Sequence, residues 1–114
     1  MAIDERRFEK LAGDAFRRIV RAFEFVDSEV VDVEATSDVI CLKMRDGMEL
    51  VINLQRPTRQ IWVAGGDRAW HFSYDEERSE WIDSRGSGET LFQTIARSVR
   101  EHAKVEVEFG EHDE

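Results

Sequence analysis

The chain is predicted to fold as an α+β protein. The expected architecture is a two-layer α/β sandwich, an antiparallel five- to six-stranded sheet with N- and C-terminal helices packed on one face. Three observations lead there. Apolar residues recur with a 3.6-residue period only towards the two ends of the chain. Between those ends the period drops to two. The joints between the period-two segments are only a few residues long, which suits antiparallel neighbours, because a parallel crossover needs a dozen residues or more.

The first helix is expected from Asp4 to about Phe25. Its apolar stripe is Phe8, Leu11, Ala12, Ala15, Phe16, Ile19, Val20 and Phe23. Asp4 and Glu5 suit the positive N-terminal end of its dipole. Three alternating stretches follow. Val31, Val33 and Ala35 flank Asp32 and Glu34; Ile40, Leu42 and Met44 flank Cys41 and Lys43; Met48, Leu50, Ile52 and Leu54 flank Glu49, Val51 and Asn53.

Register decides the turn at Arg45, Asp46 and Gly47. A two-residue Asp-Gly turn would set Leu42 opposite Val51 and split the large apolar side chains between faces. A three-residue loop with a left-handed Gly47 pairs Met44 with Met48, Leu42 with Leu50 and Ile40 with Ile52, and keeps them together. Further strands are expected at Arg59 to Ala64, Arg68 to Tyr74 and Glu80 to Asp83. Pro57, the only proline, should end the third strand, since it has no N–H for the ladder and holds its predecessor extended. Leu91, Phe92, Ile95, Ala96 and Val99 define the second helix, about Glu89 to His102, with Ser87 as N-cap and Glu89 in the first turn. A sheet with one apolar face needs one cover, and the two helices supply it.

The 114 residues suffice for one core, so residues 1–114 are expected to form a single domain. No apolar run approaches the roughly 20 residues of a membrane span. The N-terminus lacks the apolar centre of a signal peptide, so a cytoplasmic location is the default. One cysteine, Cys41, leaves no internal disulfide. A net charge of −9, from 25 acids against 16 bases, argues against a nucleic-acid partner and fits basic protein surfaces or cations. Six acids and no base lie between Ala22 and Asp38: Glu24, Asp27, Glu29, Asp32, Glu34 and Asp38. The tail is acidic again from Glu106, through Glu108, Glu111, Asp113 and Glu114.

No catalytic constellation is visible. Ser84, Ser87 and Ser98 have no nucleophile-elbow setting. His71, His102 and His112 are scattered, and Cys41 reads as a half-buried thiol. Ser87-Gly88-Glu89-Thr90 before the second helix is either a cap or an anion site. Clustered carboxylates without Cys or His suit hard cations such as iron, Mn²⁺, Mg²⁺ or Ca²⁺, or else form a solvated acidic face. Asp32 and Glu34 share one side of their strand, and Glu24 and Asp27 would stand one helical turn apart.

The uncovered sheet face should carry Val39, Cys41, Val51, Asn53, Gln55, Gln60 and Trp62. Amides both donate and accept, and an indole buries a large area at low entropic cost. Such a platform is either a recognition surface or an internal amide network around Pro57.

The spacing Asn53-x-Gln55-x-Pro57-x-x-Gln60-x-Trp62 resembles the signature of the frataxin family. Similar matches run in order along nearly the whole chain. They include Arg7 to Ala12, Asp32 to Ala35, Val39 to Gly47, Trp70 to Phe72, Glu80 to Ile82 and Ser87 to Phe92, and the bacterial branch is the nearest. The resemblance implies the two-helix sandwich and an iron-binding protein of iron–sulfur cluster assembly. Such a protein regulates the cysteine desulfurase and scaffold protein and is a candidate iron donor. It implies iron (Fe²⁺/Fe³⁺), weakly and reversibly bound, on an acidic ridge that falls on Glu24, Asp27, Glu29, Asp32 and Glu34. It implies partner binding by Asn53, Gln55, Gln60 and Trp62. A monomer without membrane attachment is expected. Alternatives are an iron-oxidising, iron-storing (ferroxidase-like) protein and a metal-independent interaction module. The chain departs from the family where Arg17, Arg18 and Arg21 interrupt the first helix and where Phe25 and Val30 replace common acids.

Overall fold

Every buried apolar side chain in the strands falls on one sheet face, and that segregation decides the architecture. A computed structural model describes residues 3–110. His112, Glu111, Asp113 and Glu114 lie outside the described residues. The order is α1 (Glu5–Ala22), β1 (Val31–Ala35), β2 (Val39–Met44), β3 (Glu49–Gln55), β4 (Gln60–Gly65), β5 (Arg68–Asp75), β6 (Glu80–Asp83) and α2 (Leu91–Ala103). The sheet has six strands in sequential order, all antiparallel. Both helices pack on one face, as expected. Phe8, Ala15 and Ile19 of α1 and Leu91, Ile95 and Val99 of α2 are buried against Ile40, Leu42, Leu50, Ile52, Ile61, Val63 and Phe72.

The register of the second hairpin is the expected one: Leu42 pairs with Leu50 and Ile40 with Ile52. The Met44 N–H donates to the Met48 carbonyl at 2.8 Å, and Gly47 takes φ +92°, a left-handed value that suits glycine. Gly65 serves a different need. A Cβ there would lie 2.7 Å from Leu50 Cδ1, so the buried Leu50 side chain would have to shift. Pro57 stands in the turn after β3, at the second position of a turn closed by the Arg59 N–H on the Arg56 carbonyl (3.1 Å), where its fixed φ is favourable.

Two element ends differ from expectation. α1 stops at Ala22, not near Phe25. Its last bonds tighten to an i→i−3 pattern, Phe23 N–H to Val20 O and Glu24 N–H to Arg21 O (each 3.2 Å), and no glycine marks the change. The cap of α2 is Thr90, not Ser87. Thr90 Oγ1 accepts from the Gln93 N–H (3.1 Å) while Gln93 Oε1 accepts from the Thr90 N–H (3.0 Å), a reciprocal capping box. Ser87 instead accepts from the Glu89 N–H within the preceding loop (3.1 Å).

Side-chain ties and a C-terminal strap join the elements. Arg56 donates to both carboxylate oxygens of Glu9 on α1 (2.7 and 3.1 Å) and to Asp38 in the β1–β2 turn (2.9 Å). Past α2, residues 104–110 run back over the helices. Val105, Val107 and Phe109 pack on the core. Phe109 stacks on Phe92 (centroids 4.9 Å apart) and meets Phe23 edge-on (6.4 Å). Arg18 lies over the Phe92 ring (4.3 Å) and its Nε donates to the Gly110 carbonyl (2.8 Å). This strap closes the seam between α1 and α2.

Phe109→Ala is expected to lower unfolding stability by about 2 kcal/mol, below the ~3–5 of a fully enclosed Phe, while exposed Glu108→Ala stays within about 0.5. Urea midpoints measure both. Glu89 gives a pH signature. Hydrogen bonds from Arg97 (2.8 and 3.1 Å), opposed by burial and aided by Thr94 Oγ1 (2.6 Å), hold its carboxyl below the ordinary range. The unfolded chain takes up that proton at a higher pH than the native one, so this contribution is present above about pH 4.3 and is lost as pH falls below it. Glu89→Gln should flatten the acid limb of the stability–pH curve.

Candidate functional site

The strand registers lay the uncovered face out in rows. One row runs Val39, Asn53, Trp62, His71 across β2 to β5; the next runs Glu34, Cys41, Val51, Ala64, Ala69 from β1; a third runs Gln55, Gln60, Ser73, Ile82 to β6. All seven residues expected on this face are there. Val39 is exposed and the other six are half-buried. His71 and Ser73 join them. The alternation in β5 carried that signal, because inward Trp70 and Phe72 force His71 and Ser73 outward.

The platform is held together from within. Gln55 Nε2 donates to Asn53 Oδ1 (2.5 Å), and Asn53 Nδ2 donates to the Trp62 carbonyl (3.4 Å). The Trp62 indole N–H donates to Gln60 Oε1 (2.8 Å), and Gln60 Nε2 donates to Ser73 Oγ (3.0 Å). His71 stacks on the indole with centroids 4.1 Å apart and planes 9° apart. Internal network and platform are therefore one object. Each amide has spent one N–H, and each keeps a second N–H and free lone pairs for a partner.

The acidic residues fall in two groups. Glu24, Asp27 and Glu29 lie in the turns between α1 and β1, so Glu24 and Asp27 are not one helical turn apart as the sequence suggested. Asp27 is occupied locally: its carbonyl accepts from Val30 and Val31 (2.9 and 3.1 Å) and its Oδ1 accepts from the Glu29 N–H (2.8 Å). Asp32 and Glu34 point to the uncovered face, opposite Lys43 and Cys41. They border the platform itself. Among the described residues no group of three or more His, Cys, Asp or Glu side chains is gathered as a metal cage.

Cys41 is half-buried, and burial, with Glu49 and Glu34 nearby, pushes its thiol above the ordinary value, so it stays protonated and a poor nucleophile. At the start of α2, Glu89 and the capping box occupy the surroundings that an anion would need. His102 is bound to Asp46 (2.7 Å), far along the chain from His71.

Fold and face together define a class: a two-layer sandwich that offers an uncovered, internally braced sheet surface. The frataxin-like domain profile matches residues 1–105. A protein of Azotobacter vinelandii named iron-sulfur cluster assembly protein CyaY is 34% identical over 111 residues, covering 97% of this chain and 99% of that one. A like-named protein of Shewanella baltica is 34% identical over 112 residues, covering 96% and 100%. The solved frataxin of Psychromonas ingrahamii superposes with a TM-score of 0.84 at 26% identity, covering 96% of this chain and all of that one. Trimeric yeast frataxin complexed with ferrous iron shares the fold at TM-score 0.58 and 24% identity, covering 92% of this chain and 90% of that one. The chain belongs to the frataxin family. Among the described residues no helix is long and apolar enough to cross a membrane.

Gln60→Ala removes the acceptor of the indole N–H and the donor to Ser73. The expected cost is about 1 kcal/mol of stability, with faster solvent exchange of the Trp62 indole proton by NMR.

Proposed function

We propose that this chain is a cytoplasmic, non-enzymatic regulator of iron–sulfur cluster assembly that acts as a monomer. It docks on a cysteine desulfurase and its scaffold protein through Asn53, Gln55, Gln60 and Trp62. The observation that carries the reading is the braced sheet face, with the indole set by Gln60 and stacked on His71, in a chain of this family. The names of the A. vinelandii and S. baltica relatives support the process. Preorganised amides and an indole lose little freedom on binding, which favours contact at this face.

Iron enters as weakly held cargo. Asp32 and Glu34, two residues apart on one exposed strand face, offer hard oxygen donors that suit Fe²⁺, with Glu24, Asp27 and Glu29 as a second, separate group. Two carboxylates on a solvated strand give fast exchange, as an iron donor requires and a store does not. A ferroxidase would instead show saturable stoichiometry and oxygen uptake above buffer.

The test mixes the protein with desulfurase and scaffold and follows the rate of cluster formation, with Fe²⁺ titrated separately by NMR. Trp62→Ala should weaken the effect on rate at least tenfold and leave the iron-shifted amides unchanged. Asp32→Ala with Glu34→Ala should abolish the shifts along β1 and leave those around Glu24, Asp27 and Glu29. An unchanged rate with wild-type protein at any ratio would sink the regulatory reading.

A further inference from the structure

The two edges of the sheet are treated differently. The free side of β6 is covered: the Asp83 N–H donates to the Glu89 carbonyl (3.0 Å) and Ile82 bridges to Thr90. β1 is the other edge, paired among the described residues only with β2. The Thr36 N–H donates to Val39 O (2.8 Å) and the Arg45 N–H to Val30 O (3.0 Å). Antiparallel pairing alternates, so Asp32 and Glu34 turn their backbone groups to β2, and Val31, Val33 and Ala35 turn theirs outward. The outward Val31 N–H is taken by the Asp27 carbonyl (3.1 Å). Among the described residues nothing takes the outward groups of Val33 and Ala35. An exposed ladder edge of this kind is a template for another strand.

The surroundings of this edge are asymmetric. The side chains of Val33 and Ala35 lie on the helix side, in line with Val31 and Ile40 of the core. A groove of about 570 Å³ opens there, between α1 and the β1–β2 turn, and it ends at Thr36 and Ser37, the residues that directly follow Ala35. Phe16 and Val20 supply its apolar lining, and Val20 is 41% exposed. Arg17, Arg21 and Glu24 line its rim. On the other face the strand presents Asp32 and Glu34, both exposed.

We propose that β1 is a docking edge for an extended segment of a partner protein, added as a seventh strand, in which apolar side chains alternate with Lys or Arg. Residues opposite Val33 and Ala35 would share their ladder bonds and send side chains towards the Phe16–Val20 groove. The residues between them would face Asp32 and Glu34. Backbone bonds supply the affinity and the alternation supplies the selection. This edge borders the Trp62 platform and shares Asp32 and Glu34 with the proposed iron site, but strand addition requires neither iron nor the assembly proteins.

The probe is an acetylated, amidated heptapeptide of alternating lysine and valine. Its comparison is a peptide of the same composition with the valines grouped at one end. Isotope-labelled protein is titrated with each. The alternating peptide should shift the Val33 and Ala35 amide protons downfield and slow their exchange with solvent. Ala35→Pro removes the outward donor and leaves the β2 ladder bonds in place, and should weaken binding at least about tenfold, the loss of one good hydrogen bond. Val20→Lys, on an exposed side chain that folding does not need, sets a cation in the groove and should weaken binding similarly. Equal binding of the grouped peptide, shifts centred on Trp62 and His71, or unchanged affinity in both variants would overturn the proposal. So would a doubled mass by sedimentation equilibrium that Ala35→Pro abolishes, since the occupant of the edge would then be a second copy of this chain.

Discussion

The pairing of Leu42 with Leu50 is the constraint on which the rest depends. A one-residue slip in that hairpin, with Ile40 and Leu42 still facing the helices, would turn Leu50 and Ile52 to water and drive Asn53 beneath the helices. The cost of burying an unpaired amide and exposing several branched side chains would exceed the net stability of a chain this size. Gly47 makes the correct register reachable, because its left-handed backbone adds the third loop residue that shifts the faces into line. Core and platform are thus two outcomes of a single registration. Neither can be altered without the other.

The covered face is closed in stages. α1 and α2 supply broad apolar stripes, and the strap fills the seam they leave with Phe109, Phe92 and Phe23 in mutual contact. Arg56 works at the far end, joining α1 to two turns through Glu9 and Asp38. These ties are partly exposed and contribute modestly to stability. Their effect is positional: they hold the β3–β4 turn, and hence the strand ends that carry Gln55 and Gln60. The amide network then needs little further ordering.

Much of the fold was legible in the sequence because alternation and register obey simple geometry. Val31 to Leu54 could be assigned to faces residue by residue, and the six strands follow. What escaped was set by competition between local signals. Ser87 and Thr90 both invite a helix start, and only the return bond from Gln93 decides between them. α1 ends without a glycine, so its apolar stripe ran on into a turn. Residues 105–109 were read for their acids, although Val105, Val107 and Phe109 alternate with them and do the packing. Of the candidate site, the seven face residues were readable from period alone. The stack of His71 on Trp62 needed the β4–β5 pairing, and the alignment of Asp32 and Glu34 with the platform needed that of β1 with β2.

The stack of His71 on Trp62 also divides the three tryptophans by what they can report. Trp70 and Trp81 are 7% and 4% exposed, sealed among core side chains, and their emission follows the integrity of the fold. Trp62 is the half-exposed chromophore, layered on the His71 ring at the open sheet surface. Its light is therefore sensitive to whatever covers the sheet above it. The molecule carries an optical gauge of surface occupancy beside two of folding, on one chain and without a label.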